Sequence, residues 1–148
     1  MTDELRHRTP LQVRFRDTDA FGHVNNAVFF SYIELARIRY FLDVLEPSEP
    51  FDRLPLILAR VELDFRSPIM FGEEVEVETR VDRIGRSSIA MSHRMTADGR
   101  LVGEAQSVLV TYDYEIARPM PVPDDWRAKF AAHEGRNLET ANEAVAAG

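Results

Sequence analysis

The sequence predicts an α+β chain in which an antiparallel sheet of about five strands wraps around one long helix. Three observations carry that expectation. Apolar and polar residues alternate with period two in several segments. A single apolar stretch, from Ala27 to Leu45, is long enough for a major helix. The order is strand, helix, then a run of strands. A chain of 148 residues, 45% of them hydrophobic, can build one complete core and is short for two ordinary domains. Residues 1–148 are therefore expected to form one domain, with its core at about 11–115 and a short helix and frayed tail in 116–148.

Leu11, Val13 and Phe15 alternate with Gln12, Arg14 and Arg16, the pattern of a strand with one face in the core. Asp17 to Gly22 breaks it, and Asn25-Asn26 supplies caps for a helix running to Leu45, where Glu46-Pro47 stops it. That helix is apolar on nearly every side, so it should be enclosed, and part of its surface should meet a second subunit. Ser48 to Leu54 reads as a loop. Ile57, Ala59, Val61, Leu63 and Phe65 then form an apolar row that Ser67-Pro68 ends. Val75, Val77, Thr79 and Val81 form the next row, opposite Glu74, Glu76, Glu78, Arg80 and Asp82. Ser87 to Met95 follows the turn at Ile84-Gly85-Arg86, and Asp98-Gly99 is a two-residue hairpin signal leading into Leu101 to Tyr114. Prolines 119, 121 and 123 exclude a sheet interior. Asp124 to His133 reads as a short helix capped by Asp124 or Asp125 and held by Trp126 and Phe130. Glu134 to Gly148 should fray.

Composition removes whole classes of chemistry. Without cysteine there is no disulfide, thiolate metal site or cysteine nucleophile. The net charge of -7 and the lack of any Lys/Arg run argue against nucleic acid as a partner. Glu34, Arg37, Arg39 and Asp43 interrupt the apolar stretch, so it is not expected to span a membrane. The polar start, with Asp3, Glu4, Arg6 and Arg8, offers no secretory apolar segment, which makes a cytoplasmic location the default expectation. There is no Gly-x-Ser-x-Gly elbow, no phosphate-binding loop, no dinucleotide fingerprint and no histidine pair at metal-ligand spacing. No metal and no separate cofactor are expected.

What remains is Asp17-Thr18-Asp19-Ala20-Phe21-Gly22-His23-Val24-Asn25-Asn26, where two carboxylates, a glycine and a histidine crowd the approach to a buried helix. A helix N-terminus presents backbone N–H groups and a positive dipole end, which can polarise a carbonyl oxygen. A carboxylate a few residues upstream could attack that carbonyl or take a proton from a water that does. Asp19 suits either role, while Asp17, at the end of the strand, reads as the structural one. The plainer reading makes both aspartates turn or cap residues. His23 could touch substrate or simply hydrogen-bond within its loop. Glu34 and Arg37 most simply pair with each other or with a neighbouring chain. Gly85-Arg86-Ser87-Ser88 puts a cation and two hydroxyls at a turn, which suits a phosphate or a solvated hairpin.

The Asp17–Asn26 string, followed by Tyr32-Ile33-Glu34-Leu35-Ala36-Arg37, closely resembles the signature of the hotdog acyl-CoA thioesterases related to 4-hydroxybenzoyl-CoA thioesterase. The resemblance continues through Asp64-Phe65-Arg66-Ser67-Pro68-Ile69, Gly72-Glu73-Glu74-Val75 and Arg83-Ile84-Gly85-Arg86-Ser87-Ser88, so it covers roughly residues 11 to 115. It implies the hotdog fold, a homodimer whose sheets join edge to edge, and frequent pairing of dimers. It implies an acyl-CoA substrate, with coenzyme A as part of that substrate, hydrolysed to free acid and CoA. The catalytic carboxylate falls on Asp19 and a supporting role on Asp17. The N–H groups of Val24, Asn25, Asn26 and Ala27 become candidates for the thioester oxygen, with His23 left as a pocket contact. Arg86, Ser87 and Ser88 become contacts along the CoA arm. The rival is a hotdog protein that binds an acyl-CoA or metabolite without hydrolysing it. The acyl group, and the choice between direct attack and water activation, stay open.

Overall fold

The computed structural model describes residues 7–139. Its elements run β1 (His7–Gln12), a 3-10 turn (Phe15–Asp17), α1 (Asn26–Leu45), a second 3-10 turn (Phe51–Arg53), β2 (Leu56–Phe65), β3 (Glu74–Ile84), β4 (Ser88–Ala97), β5 (Arg100–Asp113), β6 (Arg118–Pro119) and α2 (Asp124–Glu134). The strands form one sheet in the order β1-β3-β4-β5-β2, and β6 pairs with the end of β5. An antiparallel sheet with a long helix is the hotdog arrangement that the element order predicts. Among the described residues no helix is long and apolar enough to cross a membrane.

Two compact units divide the chain. One takes in the described residues up to Tyr40 with Glu62–Arg80 and His93–Ala105. Its core sets Phe29, Tyr32, Ile33 and Ala36 of α1 against Val75 and Val77 of β3, Met95 and Ala97 of β4, and Val102 and Ala105 of β5. The alternation read for β3 thus faces the helix as expected. Phe29 lies over β5 at Gly103, where a β-carbon would make ordinary van der Waals contact with its ring at 3.6 Å. The first strand lies earlier than its alternation suggests: it runs from His7 and ends at Gln12, Val13 is buried, and Phe15 is 77% exposed. The cause is local, because the Asp17 carboxylate accepts the Arg14 N–H at 2.9 Å and curls the chain into a 3-10 turn before Phe15 can join the sheet.

The other unit takes in Phe41–Val61, Val81–Ser92 and the described residues from Gln106 on. Here the end of α1 meets α2: Phe41 packs edge-on to Phe130, and the Lys129 ammonium donates to the Leu45 carbonyl at 2.8 Å, satisfying one of the last helical acceptors. Glu46 takes a positive φ of 46° beyond that end. Helix α2 has Trp126 and Phe130 buried as expected, but Pro123 occupies its cap position and neither Asp124 nor Asp125 caps it. Both aspartates instead lie in the first turn, where the helix dipole favours them. The expected fraying does not begin at Glu134. The Glu134 carboxylate accepts the Val81 N–H at 2.9 Å, Leu138 is buried, and its carbonyl accepts the Ile84 N–H at 2.9 Å. Residues 140–148, the rest of that expected tail, lie outside the described residues.

Strand β2 departs furthest from expectation. Its alternation predicts an apolar row in the core, yet Ile57, Leu58, Ala59 and Phe65 are exposed and no residue of the strand is fully buried. Of that row Leu63 still packs against the core, and β2 is a terminal strand of the sheet order, with a neighbour on one side only.

Candidate active site

The approach to α1 is a tight hairpin. Thr18 and Val24 form an antiparallel bridge, the Asp19 N–H donates to the His23 carbonyl at 2.9 Å, and the Gly22 N–H donates to the Asp19 carbonyl at 3.1 Å. Gly22 has φ of 86°, so Ala20 and Phe21 make the turn and a left-handed glycine closes it, which is the three-residue hairpin loop with a glycine bulge. The Asp19 carboxylate starts this turn by accepting the Phe21 N–H through Oδ1 at 2.9 Å.

The two aspartates have opposite surroundings. Asp17 is 2% exposed, and its oxygens accept from the Arg14 N–H (2.9 Å), Arg14 Nε (3.2 Å), Arg14 Nη2 (2.9 Å) and the Tyr32 hydroxyl (2.8 Å). Burial by itself pushes this carboxyl up, but the Arg14 and Tyr32 bonds outweigh it and hold it below the usual carboxylate range. Burial and the same bond to Asp17 push the Tyr32 phenol well up, so it remains a donor. Asp17 is saturated, and what it does is pin the strand end to α1. The Asp19 side chain is 28% exposed. Its Oδ1 holds the Phe21 N–H and lies 3.8 Å from His23 Nδ1, while Oδ2 accepts no hydrogen bond among the described residues. One oxygen of Asp19 thus remains open to a reacting group.

The backbone amides that follow are mostly committed. Val24 donates to the Ile69 carbonyl (2.8 Å), Asn25 to the Asp17 carbonyl (2.9 Å), and Ala27 to Asn25 Oδ1 (2.9 Å). Asn25 is therefore the side-chain cap of α1. Of the four N–H groups singled out from the sequence, that of Asn26, at the first helical position, donates to no acceptor among the described residues. Asn26 is exposed. The His23 ring stacks with the ring of Phe21, itself 83% exposed, at a centroid separation of 6.1 Å, and its backbone bridges Met70. Phe15 meets Phe71 edge-on at 5.8 Å in the same unit, so this end of the unit carries exposed aromatic surface.

In the other unit, Gly85 to Ser88 is a closed turn, with the Gly85 N–H donating to the Ser88 carbonyl at 2.8 Å. Arg127 Nη2 donates to the carbonyls of Gly85 (2.7 Å) and Arg86 (3.0 Å), Val122 N–H also donates to Arg86, and Thr111 N–H donates to Ser87. The carbonyls of Gly85, Arg86, Ser87 and Ser88 are thereby all engaged. Arg86 is exposed, Ser88 is half-buried, and Ser87 is buried. Among the described residues no group of three or more His, Asp or Glu side chains is arranged to hold a metal ion.

Sequence reading did not find Arg14 as the partner of Asp17, although its spacing of three was visible. Nor did it find the braces at Glu73–Arg100 and at Arg127, which join residues far apart in the chain.

Comparison with known proteins places the fold in a family. The model of the thioesterase-like superfamily matches residues 13–130. A thioesterase from Thermus thermophilus, solved in complex with coenzyme A and zinc, is 44% identical over 88% of this chain and 96% of that one, with a TM-score of 0.81. The acyl-CoA thioester hydrolase YbgC of Escherichia coli O6:H1 is 23% identical over 83% of this chain and 94% of its own length. The uncharacterized protein YsmA of Bacillus subtilis is 31% identical over 83 residues, and that match spans 56% of each protein. By the extent of the family match, the chain belongs to the thioesterase-like superfamily.

Proposed function

We propose that this chain hydrolyses an acyl-CoA thioester to the free acid and coenzyme A, with Asp19 as nucleophile or general base. The observation that carries the reading is the contrast between the aspartates: Asp17 is buried with its acceptors filled, whereas Asp19 is partly exposed with Oδ2 unengaged. The Asn26 N–H at the start of α1 is the amide best suited to polarise the thioester oxygen, because the other three candidates already have acceptors. The exposed Arg86 suits a charge contact to a CoA phosphate, and Ser88 and Ser87 are the neighbouring hydroxyls of that turn. The relatives named for acyl-CoA hydrolysis, and the neighbour that holds coenzyme A, support this substrate class.

We infer further that the working form is a homodimer joined through β2, with a dimer of dimers as the larger assembly. A ten-residue edge strand that exposes Ile57, Leu58 and Phe65 invites a second strand.

The test is release of free thiol from a panel of acyl-CoAs by wild type and Asp19→Asn. Asn keeps the shape and the Phe21 acceptor but removes the charge, so kcat should fall by about a hundredfold or more while the acyl-CoA still binds. Wild-type protein that binds acyl-CoA and releases no thiol would be a binder only. An Asp19→Asn variant with near-normal turnover would remove Asp19 from the chemistry.

A further inference from the structure

The Asp19 hairpin rests on a second segment, residues 67–73, and the side chains of Glu73 and Arg100 brace that segment. Val24 donates to the Ile69 carbonyl at 2.8 Å and His23 bridges Met70, so the backbone at 69 and 70 is the edge against which the hairpin ends. Met70 to Glu73 is itself a turn: Gly72 takes φ of 94° and the Glu73 N–H donates to the Met70 carbonyl at 3.2 Å. The Glu73 side chain folds back, and its Oε1 accepts the Met70 N–H. Arg100, at the start of β5, then closes the assembly. Its Nη1 donates to Glu73 Oε2 (2.9 Å), its Nη2 to Glu73 Oε1 (3.1 Å) and to the Pro68 carbonyl (2.8 Å), and its Nε to Ser67 Oγ (3.0 Å).

An exposed ion pair ordinarily contributes little, because two long side chains must be held in one geometry for a weak attraction in water. This pair differs in kind. The guanidinium is used as a planar fork with all three nitrogens engaged, and the carboxylate is oriented by the backbone N–H it accepts as well as by the arginine. Arg100's bonds, and then the Met70 N–H, hold the Glu73 carboxyl below its ordinary range, so the contact stays ionised into mildly acidic solution.

We propose that Glu73 and Arg100 are positioning residues for hydrolysis: Arg100 fixes Glu73, Glu73 fixes the backbone at Met70, and that backbone fixes the hairpin bearing Asp19 and the entry to α1. The proposal rests on the reading of Asp19 as the hydrolytic carboxylate. Neither residue touches the reacting atoms. Their effect is to hold Asp19 and the Asn26 N–H in one register, where small displacements cost rate steeply.

The experiment pairs steady-state kinetics on acyl-CoA with residue-resolved amide exchange in Arg100→Met, Arg100→Lys and Glu73→Gln. In Arg100→Met the kcat should fall about tenfold with KM changed less than about twofold, and exchange at Val24 and Met70 should accelerate by about tenfold. Arg100→Lys should recover part of both, and the double variant Glu73→Gln/Arg100→Met should be no slower than its worse parent, as expected for one unit. Wild-type exchange at Val24 in folded Arg100→Met overturns the proposal. So does a lowered melting temperature with kcat intact, which would make the pair a stabiliser only. If Arg100→Met does not fold, Glu73→Gln carries the same comparison. A wild-type protein without thioesterase activity would sink the reading of Asp19, and exchange at Val24 would then decide the brace alone.

Discussion

At the scale of single residues, the proposed chemistry rests on two carboxylates two positions apart receiving different numbers of donors. Asp17 has Arg14 and Tyr32 around it and is a structural anion; Asp19 has one backbone N–H and an open oxygen. Asp17→Asn should therefore be a stability variant. The amide would place an N–H group among donors in a buried site, at a cost of about 2 kcal/mol, visible as a lower urea midpoint, with any loss of turnover following the loss of fold. A destabilisation below about 0.5 kcal/mol would mean that the Asp17 cluster is not an anchor. The spacing of the aspartates was legible in the chain, and so was a structural reading of Asp17. The partners that make it structural were not, because Tyr32 lies fifteen positions away and meets Asp17 only when α1 packs.

At the scale of elements, the hairpin of residues 18–24 is the smallest unit that the proposed function needs. Its left-handed Gly22 has open space around it, so the requirement is conformational and not steric. Gly22→Ala should cost about 1 kcal/mol for a side chain at positive φ, and hydrolysis should suffer with it, since the turn begins at Asp19. Gly22→Asn should cost less, because asparagine tolerates that region. Equal stability of the alanine and asparagine variants by calorimetry would show that the turn relaxes to another type. Helix α1 was readable from its caps and its proline stop, and β3 and the Asp98-Gly99 turn from local pattern, since each is decided by residues adjacent in the chain. The end of β1 was misread because one carboxylate captured the Arg14 N–H.

At the scale of the whole molecule, two properties should be measurable. The first is acid sensitivity. His93 is buried with Nδ1 3.2 Å from the Thr79 hydroxyl, and burial, then the charge of Arg37, pushes its imidazole down to about 3. The folded state thus refuses a proton that the unfolded chain accepts near pH 6.5. Stability from this group is complete above that value and is lost progressively as the pH falls from about 6.5 toward 3. The urea midpoint should drop on going from about pH 7 to about pH 5, and a folded His93→Gln protein should show a shallower drop. Parallel slopes would assign the acid sensitivity elsewhere. The second property is assembly. If β2 is the joint, light scattering of wild type at micromolar concentration should give a dimer or larger, and Leu58→Lys should shift it toward the 17.0 kDa monomer. A monomeric wild type would remove the proposed dimer.

The sequence by itself determined the main elements and the family, because turn residues, apolar period and the Asp17–Asn26 string are local and survive without knowledge of what they touch. It also determined that no cysteine could serve as nucleophile. Tertiary structure decided how far each apolar row is covered, leaving Ile57, Ala59 and Phe65 of β2 exposed while the row of β3 meets α1, since packing sets a strand's neighbours and its own alternation does not. It decided which backbone N–H at the helix start stays open, and it brought Arg100 to Glu73 from twenty-seven positions away. Those pairings depend on how the strands and α1 pack, and no spacing within the chain encodes where two distant side chains will end.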